Sequence, residues 1–132
     1  MTWASVFVVF YVSHQVGDYV FQTNWQAMHK RGGLGRDSVA RRALLTHTLT
    51  YTLAYVPALI WVASSIGWKT LVVAAAITFP HLVQDDGRLL SAYVRRVKRL
   101  DPAANHAITG LVDQASHMVA LLGAALLVRA LA

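Results

Sequence analysis

The chain has no cysteine, which excludes disulfides, thiolate metal ligands and a cysteine nucleophile together, and leaves histidine nitrogen and carboxylate oxygen as metal donors. It has no glutamate either, since all six acidic residues are Asp. Charge is scarce, at 14% of 132 residues, where a soluble domain carries roughly 25%. Together with 56% hydrophobic residues and a mean hydropathy of +0.45, this scarcity excludes an ordinary soluble domain and points to a membrane protein. The length allows about four crossings of roughly 20 residues each with short connections. The expectation is a single all-α integral membrane domain over residues 1–132, a bundle of four transmembrane helices.

A net charge of +6 also fits a nucleic-acid binder, but the positions of the basic residues argue against one. Ten of the twelve fall in two clusters, Lys30 to Arg42 and Arg88 to Arg99, each between two apolar stretches. The positive-inside rule puts such clusters in the cytoplasm, so a bacterial inner membrane with both termini outside is expected. The clusters then meet anionic lipid headgroups, and no nucleic acid is expected as a partner.

The first apolar stretch runs from Trp3 to Trp25 with no Lys or Arg before Lys30, unlike a cleavable signal peptide, so it is expected to stay. A glycine-rich basic connection, Lys30 to Asp37, ends it, and Asp37 or Ser38 caps the next helix. The second helix is expected over Val39–Ala63, with Pro57 inside it. The third begins near Trp68, stays apolar to Val83 and continues as an amphipathic basic extension through Arg99. Asp101 and Pro102 stop it, and the fourth runs over Ala104–Leu131. Trp3, Trp61 and Trp68 fall near the outer interface in this topology.

Asp18, Asp85, Asp86 and Asp113 lie within or at the edge of apolar segments, where an ionised Asp costs roughly 2.5–3.5 kcal/mol near a bilayer centre. His14, His47, His81 and His117 accompany them. The spacing is His14-x-x-x-Asp18, His81-x-x-x-Asp85 and the reversed Asp113-x-x-x-His117. Residues four apart share a helix face, and reversing the pair in a helix of opposite direction places each Asp nearer the cytoplasm and each His deeper. His47 reaches a comparable depth.

His14 to His81 and Asp18 to Asp85 are each 67 residues apart and His47 to His117 is 70, which suggests two tandem helical hairpins. The carboxylates need compensation, and the nearest basic residue in sequence is Arg88. Divalent cations meet that need, and seven candidate ligands, His14, Asp18, His47, His81, Asp85, Asp113 and His117, suit one or two ions. Zinc, manganese and iron all fit mixed nitrogen and oxygen donors. Gln22 and Gln114 are expected to orient the ligands or bind substrate, or else to make helix-to-helix hydrogen bonds, and Asp86 to stand behind the ligands or be solvated at the helix end. Tyr51, one turn beyond His47, is a core residue or a donor to the ligands. His29 and His106 read as solvated surface.

The set His14-Gln-Val-Gly-Asp18, Gln22, Lys30, His47, His81-Leu-Val-Gln-Asp85 and Asp113-Gln114-Ala-Ser-His117 resembles the family of small bacterial and phage inner-membrane proteins designated domain of unknown function 3307. It is more distantly similar to metal-dependent hydrolases of the bacterial inner membrane, which implies hydrolase chemistry by analogy. The family commonly carries a Lys shortly after the third-helix Asp. Arg88 stands there in this chain, and the resemblance implies that it takes the place beside a substrate anion.

The leading expectation is a metal-dependent hydrolase of a small or amphiphilic ester or phosphoester. In it Asp18, Asp85 and Asp113 act at the metal and relay protons, while Lys30 and Arg88 draw the anion. The competing readings are a small oligomeric carrier or channel for a metal ion, proton or solute, and a structural or regulatory membrane protein held together by metal.

Overall fold

The computed structural model describes all 132 residues, Met1–Ala132, and is helical throughout with no strand. Helix α1 (Trp3–Gln15) starts at Thr2, whose hydroxyl accepts from the Ser5 N–H. It runs into one π-helical turn, Val16–Phe21, which carries Asp18. Gln22 is extended (φ −65°, ψ 124°) and breaks the helix. Thr23 and Gln26 then form a reciprocal capping box that starts the short α2 (Asn24–His29).

The glycine-rich connection ends at Asp37, which caps α3 (Ser38–Ala54) by accepting from the Val39 and Ala40 N–H groups. Pro57 has no N–H for the Leu53 carbonyl, and the chain breaks just before it: Tyr55 (φ −87°, ψ −9°) separates α3 from α4 (Val56–Ile66). Gly67 (φ 57°) turns the chain through a 3-10 turn, Gly67–Lys69, into α5 (Thr70–Asp85). Gly87 (φ 75°) then separates α5 from α6 (Arg88–Arg96), and α7 (His106–Leu131) closes the chain.

These breaks correct the expected boundaries. The stretch Trp3–Trp25 is a helix, a π turn and the start of another helix; Val39–Ala63 is divided at Tyr55; and the extension to Arg99 is a separate helix. The last helix begins at His106 rather than Ala104. Two helical runs, Val56–Asp85 and His106–Leu131, are long and apolar enough to cross a membrane, and the first is interrupted at Gly67.

α1 and α5 each pack against both α3 and α7, so the four take the corners of a bundle. Its core has two parts. Around Val6, Phe10, Val62, Ile77, Leu121 and Ala125 it is apolar. Toward the α5–α6 junction it holds His14, Asp18, His47, His81, Asp85 and His117, all buried. The polar end is closed by the glycine-rich connection, where the Gly32 N–H donates to the Asp86 carbonyl (2.8 Å) and the Leu34 N–H to the Asp86 carboxylate (2.8 Å). At the other end Lys69 Nζ donates to the Leu131 carbonyl (2.8 Å). The two basic connections therefore lie together at one end, with the Gly67 turn and the C-terminus together at the other.

Candidate metal centre

His47 Nε2, His81 Nε2, Asp18 Oδ1 and Asp85 Oδ2 converge closely enough to hold a metal ion, all four residues being buried. His47 Nε2 lies 2.8 Å from Asp85 Oδ2, 3.1 Å from His81 Nε2 and 3.3 Å from Asp18 Oδ1. His81 Nε2 lies 3.1 Å from Asp85 Oδ2 and 3.8 Å from Asp18 Oδ1. Four donors at about 2.0–2.1 Å from a tetrahedral ion stand about 3.3 Å from one another, so these spacings bracket the edge of such a site. Two imidazole nitrogens facing each other at 3.1 Å, beside an Asp18 oxygen with no hydrogen-bond partner, make a donor set that fits a shared cation.

Local chain geometry brings these atoms together. The π turn sets the direction of Asp18 at the end of α1, and Asp85 ends α5 one turn after His81. Gly17 lies where the turn crosses α3; a Cβ there would be 2.7 Å from Tyr51 Cδ2. That closeness lets the Tyr51 ring lie flat on His81, with centroids 3.4 Å apart and planes 3° apart. Tyr51 also bonds through its hydroxyl to His14 Nδ1 (3.2 Å) and to the Tyr55 hydroxyl (2.8 Å). Tyr51 is thus both a core residue and a hydrogen-bonding partner of the polar cluster. Tyr55 went unnoticed, although the fourfold spacing His47, Tyr51, Tyr55 puts all three on one face of α3.

The other expected ligands stand apart from the four-atom cluster. His14 Nε2 meets Gln114 Oε1 (3.1 Å) and lies 3.7 Å from Asp18 Oδ2. His117 Nδ1 donates to the Asp113 carbonyl (2.9 Å), and its Nε2 is 3.6 Å from Asp85 Oδ1. The Asp113 carboxylate is half-buried and outside the cluster. Side chains on a helix lean toward its N-terminus, so Asp18 and Asp85 lean back to His14 and His81 whereas Asp113 leans away from His117. Reversing the order of the pair therefore lost the carboxylate.

Lys30, not Arg88, is the cation at the centre: its ammonium is 2.7 Å from Asp85 Oδ2, across 55 residues of sequence. Gln22, with its amide oxygen toward the donors, accepts from Lys30 Nζ at 2.7 Å and meets the His47 ring, while its nitrogen donates to the Asp18 carbonyl at 3.3 Å. Arg88 is exposed and pairs with Asp86. Asp86, 4% exposed, is neither solvated nor behind the ligands: it clasps the glycine-rich connection. Burial pushes its carboxyl up, but donation from Arg88 and the Leu34 N–H outweighs this and holds it below the ordinary carboxylate value. His29 and His106 are exposed, as expected.

An all-helical chain with a buried centre of two histidines and two aspartates, guarded by one lysine, is the class defined by fold and site. Residues 6–131 match the family model described as protein of unknown function (DUF3307), and the chain belongs to that family. Neither curated proteins nor solved structures yield a match to it.

Proposed function

We propose that this protein is a four-helix inner-membrane hydrolase that uses a divalent ion at Asp18, His47, His81 and Asp85 to cleave a small or amphiphilic phosphoester at the cytoplasmic face. The observation that carries the reading is the set of donor spacings of 2.8–3.8 Å among these four residues. An ion held there acidifies a bound water and so supplies hydroxide near neutral pH. Lys30, whose ammonium is 2.7 Å from Asp85 Oδ2, is placed to hold the phosphoryl anion when it leaves Asp85.

A bilayer is supported by surplus apolar surface. Only 34 of 132 residues are buried although 56% are hydrophobic, and Leu49, Leu53, Phe79, Leu111, Val119 and Leu126 are among those facing outward. Large apolar side chains exposed in such number suit lipid better than water. Both basic connections at one end agree with a cytoplasmic orientation of that end.

Two cavities open near the α5–α6 junction. Arg31, Arg88 and Arg95 with Asp86 line one of about 350 Å³, and Arg31 and Asp86 follow Lys30 and Asp85 in the chain. Leu89, Leu90, Tyr93, Val112 and Val119 line another of about 570 Å³ between α6 and α7, bordered by Gln84 and Ser116. An anionic headgroup with an apolar tail suits such a pair. Passage through the bundle does not suit it, because the core beyond Tyr55 is closed by Phe10, Val62, Leu121 and Ala125.

The test is phosphodiester hydrolysis by the purified protein, apo or loaded with zinc or manganese. Activity should follow the metal, fall with a chelator and be lost in Asp85→Asn and His47→Gln, with His29→Ala within a few-fold of the parent. Metal-dependent flux through liposomes, abolished by Asp85→Asn, together with no hydrolysis of a broad ester panel, would replace this reading with the carrier.

A further inference from the structure

The four-atom cluster uses only one oxygen of each carboxylate. Asp18 presents Oδ1 and Asp85 presents Oδ2 to His47 and His81. The remaining oxygens face the other two histidines: Asp18 Oδ2 is 3.7 Å from His14 Nε2 and Asp85 Oδ1 is 3.6 Å from His117 Nε2. Both separations are too long for hydrogen bonds. His117 Nε2 has no partner at all, on a side chain 1% exposed. A buried ring nitrogen left this way calls for a reason.

The tautomer of His117 is set for ligation, whereas His14 Nε2 donates to the Gln114 amide oxygen and gives up that proton when it ligates. His117 Nδ1 donates to the Asp113 carbonyl, which leaves the Nε2 lone pair free and aimed at Asp85. His14 Nδ1 is engaged by the Tyr51 hydroxyl. The two rings lie 5.2 Å apart, as close as the 5.1 Å between His47 and His81. The sequence repeat matches this arrangement: an offset of 67 carries His14 and Asp18 onto His81 and Asp85, and one of 70 carries His47 onto His117. Exchange of the two halves thus maps the pair His47 and His81 onto the pair His117 and His14.

We infer a second metal half-site built from His14 Nε2, His117 Nε2, Asp18 Oδ2 and Asp85 Oδ1, so that Asp18 and Asp85 bridge two divalent ions. The inference rests on metal binding at the first four donors and deepens the hydrolase reading. Its two His–Asp spacings exceed the ~3.3 Å tetrahedral edge by a few tenths of an ångström, and these four donors do not converge as the first four do, so a second ion would draw them together. Gln114 Oε1, 3.1 Å from His14 Nε2, turns aside or joins as a further oxygen donor. Two divalent ions against two carboxylates leave the centre positive even before Lys30 is counted. Such a centre recruits hydroxide and an anionic phosphoester, and two ions about 3.5–4 Å apart suit in-line displacement at phosphorus.

The experiment uses the wild-type protein loaded with Mn²⁺, read by elemental analysis and electron paramagnetic resonance. Two manganese per chain with an exchange-coupled signal are expected. His14→Gln and His117→Gln should each leave one ion with an isolated-manganese spectrum. One uncoupled ion per chain in the wild type, unaltered by His14→Gln, would overturn the second half-site and leave the single-ion reading standing. No binding of manganese, zinc or iron would overturn both. The wild-type stoichiometry and spectrum decide the matter even where a variant does not fold.

Discussion

Gly17→Ala tests how tightly the centre depends on one close approach. The added methyl would sit 2.7 Å from Tyr51 Cδ2 and 3.3 Å from Tyr51 Cα, where ordinary contacts begin near 3.4 Å. Tyr51 must therefore yield by about 0.7 Å or more, and it is poorly placed to do so. It is 1% exposed, its ring lies flat on His81 and its hydroxyl is held between His14 and Tyr55. Overpacking of this kind costs about 1–3 kcal/mol, against at most about 1 kcal/mol regained from replacing glycine in a helical segment. Because catalytic and metal geometry tolerates only about 0.5 Å of displacement, the shift passed to His81 should weaken metal binding about 10- to 100-fold. Calorimetric titration with zinc and a thermal scan in the same detergent measure the two effects. Gly123→Ala, with nothing within 4 Å of the new methyl, is the control. A Gly17→Ala protein that matches the parent in both would refute the argument that the π turn and Tyr51 set the position of His81.

Other expectations follow from the same geometry. Lys30→Met should tighten metal binding about tenfold or more by removing a competing charge from Asp85, while lowering phosphodiesterase activity; weaker binding would show that Lys30 is structural. Asp85→Ala should lose the metal by elemental analysis whereas Asp113→Ala retains most of it, and equal loss in both would restore Asp113 to the ligand set. Asp86→Ala should cost about 2 kcal/mol in detergent unfolding, through the hydrogen bond to the Leu34 N–H, and should make the glycine-rich connection protease-sensitive. A reporter fused after Ala132 should be active only outside the cytoplasm, and cytoplasmic activity would reverse the orientation.

The helical class and the residues of the centre were legible because buried His and Asp stand out in an apolar sequence and fall at helical spacing. The cap at Asp37 followed from residue type alone. What periodicity missed arises where the helix is not regular: the π turn at Val16–Phe21 and the breaks at Tyr55 and Gly87. The pairing of Lys30 with Asp85 was not legible, because a contact across 55 residues leaves no local pattern. Asp113 was misplaced because a shared helix face says nothing about the direction in which the side chain leans. Asp86 pointed away from Asp85 as its place on the helix required, but the chain segment that it holds was not visible until folded.

No cluster of four donors is contained in either half of the chain. Asp18 and His47 come from the residues before the Gly67 turn, and His81 and Asp85 from those after it. During synthesis the first hairpin must therefore wait, with its Asp18 unmatched, until the second arrives. Severing the chain at the exposed Gly67 would remove none of the donors, so two separately made hairpins should rebuild the whole protein by finding each other, each serving as the missing template for the other.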